Sequence, residues 1–177
     1  MAAAHELLAE RGLEALTMRA LAERLGVSPN ALYSHVDSKG ALLDELLDDV
    51  LAEVETGDGE PDSPGARLHA IMASTNEVLL AHPDLVPAYL ARQGARGPNA
   101  QRLGNLMLEQ LARAGIEGER AREALQVLIV YTIGSAAFAT RGPLTVAGAG
   151  EPPAEDVLRG FDRGLRWLLA GVIGTVG

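Results

Sequence analysis

Cysteine is absent from this 177-residue chain, which excludes disulfides, thiolate zinc sites and cysteine nucleophiles. Aromatic residues make up only 3% of it. A core built with so few rings must be packed from Leu, Ala, Val and Ile, which favours closely spaced helices over a sheet. Lysine occurs once, at Lys39, and a formal net charge of -9 argues against a protein that coats nucleic acid nonspecifically, since that mode needs many basic contacts. No basic start leads into an apolar run with a small-residue cleavage site, so a cytoplasmic protein is expected. His5, His35, His69 and His82 form no H-x-x-x-H pair, and no G-x-S-x-G, phosphate-loop or Rossmann fingerprint occurs. Neither a metal nor a cofactor is therefore expected, and a helical enzyme is the weakest reading. The one long uncharged run, Ala124 to Thr140, contains Gln126, Thr132, Gly134 and Ser135 and falls short of a comfortable membrane span. It reads as a core helix, with no membrane partner.

What the chain does contain is concentrated between Thr17 and Lys39. Thr17 can cap a helix whose apolar positions Leu21, Ala22 and Leu25 recur at helical spacing, and Gly26 supplies the left-handed residue that ends it. Ser28 caps the next helix and Pro29 takes its first position, where the missing N–H costs nothing, so this helix starts sharply and is expected to run to about His35. Two short helices joined by a tight turn are the pattern of a helix-turn-helix. No acidic residue lies between Leu25 and Val36. Asn30, Ala31, Tyr33, Ser34 and His35 offer amide, methyl, hydroxyl and imidazole groups that suit base edges, thymine methyls and phosphates. Lys39 begins the following helix, where its ammonium and the free N–H groups of the first turn can hold one phosphate. A helical corner with a solvated polar face explains the same residues.

The stretch L-T-M-R-A-L-A-E-R-L-G-V-S-P-N-A-L-Y-S-H-V-D-S-K-G-A-L-L-D resembles the DNA-binding domain of TetR-family regulators, with L-Y-S-H-V and A-L-L-D nearest the tetracycline-repressor branch. The likeness covers about the first fifty residues well and the remainder in outline. It implies that Thr17, Tyr33 and Lys39 hold phosphates, while Arg19 and the residues from Ser28 to His35, including Pro29, Asn30, Ala31 and Ser34, face the major groove of a double-stranded operator. Two positions depart from the tetracycline branch. Glu55 stands where those proteins place a histidine for the drug, and Ile71 where they use a polar amide, which argues against a magnesium–tetracycline effector. The first helix begins almost at residue 1, where family members have several further, often basic, residues, so fewer backbone contacts are expected.

Helices are expected at about 2–10, closed by Gly12, and at about 39–55, with Leu43, Leu46, Leu47, Val50, Leu51 and Val54 on one face and acids on the other. A Gly, Pro and Asp-rich break follows at Thr56 to Gly65. Further helices are expected at about 66–81, 84–93, a seventh ending at Gly115, 118–141 and 154–173, with a Pro/Gly-rich loop before the last. The fold class is thus all-α with about nine helices: a three-helix head at 1–51, joined by its fourth helix to a ligand-binding and dimerisation body at 52–177. Within the body, His69, Met72, Asn76, Tyr89, Gln93, Met107, Tyr131 and Phe138 are candidates for a small, largely apolar effector, although plain core packing accounts for each. Gly134, Ala137, Phe161, Leu165 and Leu168, with Val157, form stripes suited to a homodimer interface, and equally to the subunit's own core. The function expected is a ligand-released repressor, against the alternative of a helical adaptor that binds protein.

Overall fold

Four hydroxyls start four of the helices. The Ala20 N–H donates to Thr17 Oγ1 at 3.1 Å, Ala31 to Ser28 at 3.2 Å, Ala41 to Ser38 at 3.0 Å and Ala66 to Ser63 at 3.1 Å. Each satisfies one of the N–H groups that a helix start leaves without a partner. The computed structural model describes residues 1–57, 63–140 and 154–174, with side chains from 159 onward in the last segment. Most of the expected break after Thr56, the Pro/Gly-rich loop at 141–153 and the Val157 side chain lie outside the described residues.

The elements, all helical among the described residues, are α1 (Ala2–Ala15), α2 (Met18–Leu25), α3 (Pro29–Tyr33), α4 (Lys39–Val50), α5 (Pro64–Ala81), α6 (Val86–Arg92), α7 (Pro98–Arg113), α8 (Gly118–Thr140) and α9 (Ala154–Gly174). Gly12 does break α1, at φ 74°, but the chain re-enters one more turn and delivers a fully buried Leu16. The helix-ending residue Gly26 adopts φ 66° as its type allows. Helix α3 stops two residues short of expectation because Ser34 Oγ donates to the Ala31 carbonyl at 2.7 Å and competes for the helix end. Helix α4 likewise ends at Val50 and tightens into a 3-10 turn, Leu51–Glu53. The Glu55 N–H then donates to Ser74 Oγ on α5 at 2.9 Å, so the chain is committed to the body instead of another helical turn. The helix expected at 84–93 divides into a 3-10 turn, Pro83–Leu85, and α6.

Two apolar clusters organise the chain. One joins Ala4, Leu7, Leu16, Met18, Leu21, Ala22, Leu32, Leu42 and Leu46; the other gathers α5 to α9 around Ile71, Met72, Tyr89, Leu111, Leu128 and Leu165. Helix α4 serves both. Leu42 and Leu46 point into the first cluster, while Leu47 and Val50, one side further round, point into the second. Burying each such leucine contributes roughly 1.5–3 kcal/mol, so α4 is held firmly at both faces. Two expectations fail here. Leu25 is 48% exposed instead of joining the core, and Asp48, placed on the acidic outer face of α4, is buried at 4% exposure. By length and composition α8 could cross a membrane; in the fold it packs against α5, α6, α7 and α9.

Candidate nucleic-acid interface and effector cavity

Leu32 is the buried residue of α3 and pins the helix into the first cluster. Everything around it faces outward. Ser28, Pro29, Asn30, Ala31, Tyr33, Ser34 and His35 are all exposed, as are Thr17 and Arg19 at the start of α2 and Lys39 at the start of α4. The structure therefore brings all ten residues proposed from the sequence to the surface. Thr17 and Ser28 accept helix N–H bonds through their oxygens, which leaves each hydroxyl proton available, whereas Ser34 spends its proton on Ala31. Arg19 pairs with Glu23 at 3.2 Å across one turn, with side chains 83% and 69% exposed. Such a pair is worth little in water and yields readily to a phosphate. Arg24 turns inward to the head instead. It bonds Glu10 and, at 3.4 Å, Glu6, tying α1 to α2 and holding the Glu10 carboxyl below its ordinary range.

In the body, a cavity of about 130 Å³ lies among α5, α6, α7 and α8. Of the effector candidates, Met72, Tyr89, Gln93 and Met107 line it; His69, Asn76, Tyr131 and Phe138 do not. His69 faces α9 instead and bonds Asp162 at 2.7 Å. That bond, with the Arg166 bonds ahead of it, holds the Asp162 carboxyl below its usual range. Asn76 is buried beside the cavity wall with its Oδ1 unpaired. Tyr131 stacks on Phe161 at 5.3 Å and donates to the Phe161 carbonyl at 3.0 Å, and Phe138 is 56% exposed. Thr75, Leu79, Leu103, Ile129, Thr132 and Ile133 are among the other wall residues, none of them an effector candidate from the sequence. Their signal was present as spacing, since Met72, Thr75 and Leu79 share one face of α5, and Ile129, Thr132 and Ile133 one face of α8.

The cavity wall is tied directly to α4. Tyr89, on the wall, donates its hydroxyl to the Leu47 carbonyl, and burial pushes its phenol well above the ordinary range. Arg92, three residues on, grips Asp44 through two nitrogens. Asp48 reaches across to cap α7, accepting from the Ala100 N–H at 2.8 Å, the Asn99 N–H at 3.0 Å and Asn99 Nδ2 at 3.2 Å. No side chain local to α7 caps that helix.

The dimer stripes need correction. Ala137, Phe161 and Leu165 are 7%, 8% and 0% exposed within the single subunit, and Leu168 packs against the same core. The first three belong to the subunit's interior, and Leu168 is half-buried. Gly134 does lie on an open line, since a Cβ there would meet nothing within 4 Å. On α8 and α9 the large apolar residues left outside are Val127, Val130, Phe138 and Trp167, with Trp167 70% exposed. Among the described residues no group of three or more His, Cys, Asp or Glu could hold a metal ion.

A sequence profile described as "Bacterial regulatory proteins, tetR family" matches residues 1–46. An HTH-type transcriptional regulator of Saccharopolyspora erythraea is 33% identical over the whole chain and 84% of its own length. Among solved structures, a variant of TetR from Acinetobacter baumannii AYE in complex with minocycline superposes with a TM-score of 0.80 at 30% identity, covering 96% of this chain and 92% of that one. ActR from Streptomyces coelicolor in complex with actinorhodin gives a TM-score of 0.81 at 25% identity, covering 99% and 94%. The helix-turn-helix, the all-helical body and these matches together show that the chain belongs to the TetR family of bacterial transcriptional regulators, DNA-binding proteins that are not enzymes.

Proposed function

We propose that this regulator is a repressor that binds its operator as a homodimer and is released by a small, largely apolar effector seated among α5 to α8. The observation that carries this reading is the short path from cavity to head. Tyr89, in the cavity wall, and Arg92, one turn on, hold α4, and α4 begins at Lys39 after a short connection from α3. A head at 1–51 and a body at 52–177 divide the work, with α4 crossing between them. A ligand that displaces the wall favours the α4 position in which the two heads no longer match their half-sites. A tenfold preference for that shape is worth about 1.4 kcal/mol per site. The minocycline and actinorhodin complexes of the two structural relatives support a body that accepts a small molecule. Two copies are needed because a five-residue recognition helix makes too few contacts for useful specificity by itself. The exposed faces of α8 and α9 suit that pairing. Acting on chromosomal DNA, the protein works in the cytoplasm.

Binding to duplexes from the region upstream of its own gene, titrated at several salt concentrations, tests the DNA half. Tyr33→Ala and Lys39→Ala, both assigned to phosphates, should weaken binding across sequences, and loss of the Lys39 charge should lower the salt slope by about one unit. Asn30→Ala and Arg19→Ala should instead change base preference. Unchanged binding by both phosphate variants would remove the assignment.

A further inference from the structure

The cavity offers a ligand almost no hydrogen-bond donors. Thr75 Oγ1 donates to the Ile71 carbonyl at 2.7 Å, Thr132 Oγ1 to the Leu128 carbonyl at 2.9 Å, and the Tyr89 hydroxyl to Leu47. Every hydroxyl proton in the wall thus has an acceptor within the protein, Thr132 having Met72 Sδ at 3.4 Å as well as its backbone carbonyl. A carbonyl or carboxylate pushed into this space would be stripped of water with nothing to replace it, at a cost of several kcal/mol. Gln93 is the exception. Its side chain has no hydrogen-bond partner among the described residues, and it is the only non-glycine there with a left-handed backbone, at φ 57°. It stands in two walls at once. Together with Tyr89, Ile129 and Ile133, it lines both the cavity and an open groove of about 500 Å³ between α6 and α8.

That groove has the opposite chemistry. Arg122 and Gln126 of α8 line it with Leu90, Leu125 and Val130, and no acidic side chain does. No carboxylate lies within ion-pair distance of Arg122 among the described residues, although the chain carries a net charge of -9. Pockets that take drug-sized ligands measure roughly 300–1,000 Å³, more than this cavity of about 130 Å³, so a ligand of that size with one end in the cavity continues past Gln93 into the groove. Arg122 precedes Ile129 by seven residues on one helix, an axial rise of roughly 10 Å.

Resting on the reading that this cavity receives the effector, we propose that the effector is an amphipathic organic acid. Its apolar end fills the cavity, Gln93 meets its neck, and its carboxylate lies in the groove on Arg122 and Gln126. The apolar end supplies burial, and the charge-assisted bond supplies discrimination. The test uses decanoate and decan-1-ol, which share a chain and differ in the head group, titrated calorimetrically into the full-length protein. Decanoate should bind at least tenfold tighter than the alcohol. Arg122→Gln should abolish that preference while leaving the alcohol's affinity unchanged. Gly104→Leu, at a cavity-lining position where a Cβ meets nothing within 4 Å, should fill the cavity and weaken both ligands. Equal affinity for acid and alcohol, absence of binding by either, a preference that survives Arg122→Gln, or indifference to Gly104→Leu would each overturn the proposal. A parallel operator-release assay separates the two readings: Arg122-dependent decanoate binding that leaves DNA affinity unchanged upholds the site and removes its regulatory role.

Discussion

Replacing Asp48 with asparagine should cost this protein roughly 2–3 kcal/mol of stability, although the change is nearly isosteric. The carboxylate is 4% exposed and accepts three bonds, from the Asn99 and Ala100 N–H groups and from Asn99 Nδ2. An asparagine keeps one acceptor oxygen but turns an NH₂ toward groups that are themselves donors. At least one charge-assisted bond is lost, worth about 1.5–3 kcal/mol, together with the favourable placement of a negative charge at the α7 N-terminus, worth about 0.3–1 kcal/mol. Relief of the buried charge offsets part of that sum. For a chain of this size each kcal/mol moves the midpoint by about 2–4 °C, so Tm should fall by roughly 4–12 °C. Urea and thermal unfolding at neutral pH read the effect, with the exposed Glu45→Gln as control, expected within about 0.5 kcal/mol of the parent. Gly97→Ala perturbs the same contact from the other side, because a Cβ there overlaps the Asp48 carboxylate. If Asp48→Asn is no more harmful than Glu45→Gln, the carboxylate does not cap α7 and the tether between α4 and the body is misassigned.

Trp167→Asp and Phe138→Asp should convert a dimer to monomer in sedimentation at micromolar concentration without loss of helicity, whereas Phe161→Asp should unfold the subunit by burying an unpaired charge in its own core; a wild type that sediments as a monomer would refute the interface. The Asp162 carboxyl is held below the ordinary aspartate value of 3.8 by Arg166 and His69, so its contribution is complete above that value and is lost as pH falls below it. The stability difference between parent and Asp162→Asn should therefore hold steady at neutral pH and shrink as pH falls below about 3.8 in urea titrations, and a difference that stays flat there would remove the assignment.

Much of the head was legible because its signals are local. Thr17 and Ser28 cap with their own side chains, and Pro29 and Gly26 fix their own backbone angles. The body was less legible. Met72 and Phe161 look alike in an apolar pattern, yet one borders a cavity and the other is interior packing beneath Tyr131. Small residues at helical spacing in α8 do not tell which neighbour they approach, and of the positions assigned to a second copy Ala137, Phe161 and Leu165 are buried in the subunit's own core. His69 and Asn76 share a helical face by periodicity, but the partner of His69 lies ninety-three residues away.

What the sequence determined by itself was the helical class, the helix-turn-helix and the polar set it exposes, because capping, backbone preference and periodicity act over three or four residues. The tertiary structure decided how the cavity is tied to the DNA-reading head. Asp48 sits on α4 in the midst of other acids, and nothing within its own turn distinguishes it from Asp49. Only the arrival of α7, fifty residues later in the chain, places two free N–H groups against its oxygens. A carboxylate that would otherwise face water is buried because another helix begins there, and no local rule can anticipate a partner supplied by the fold.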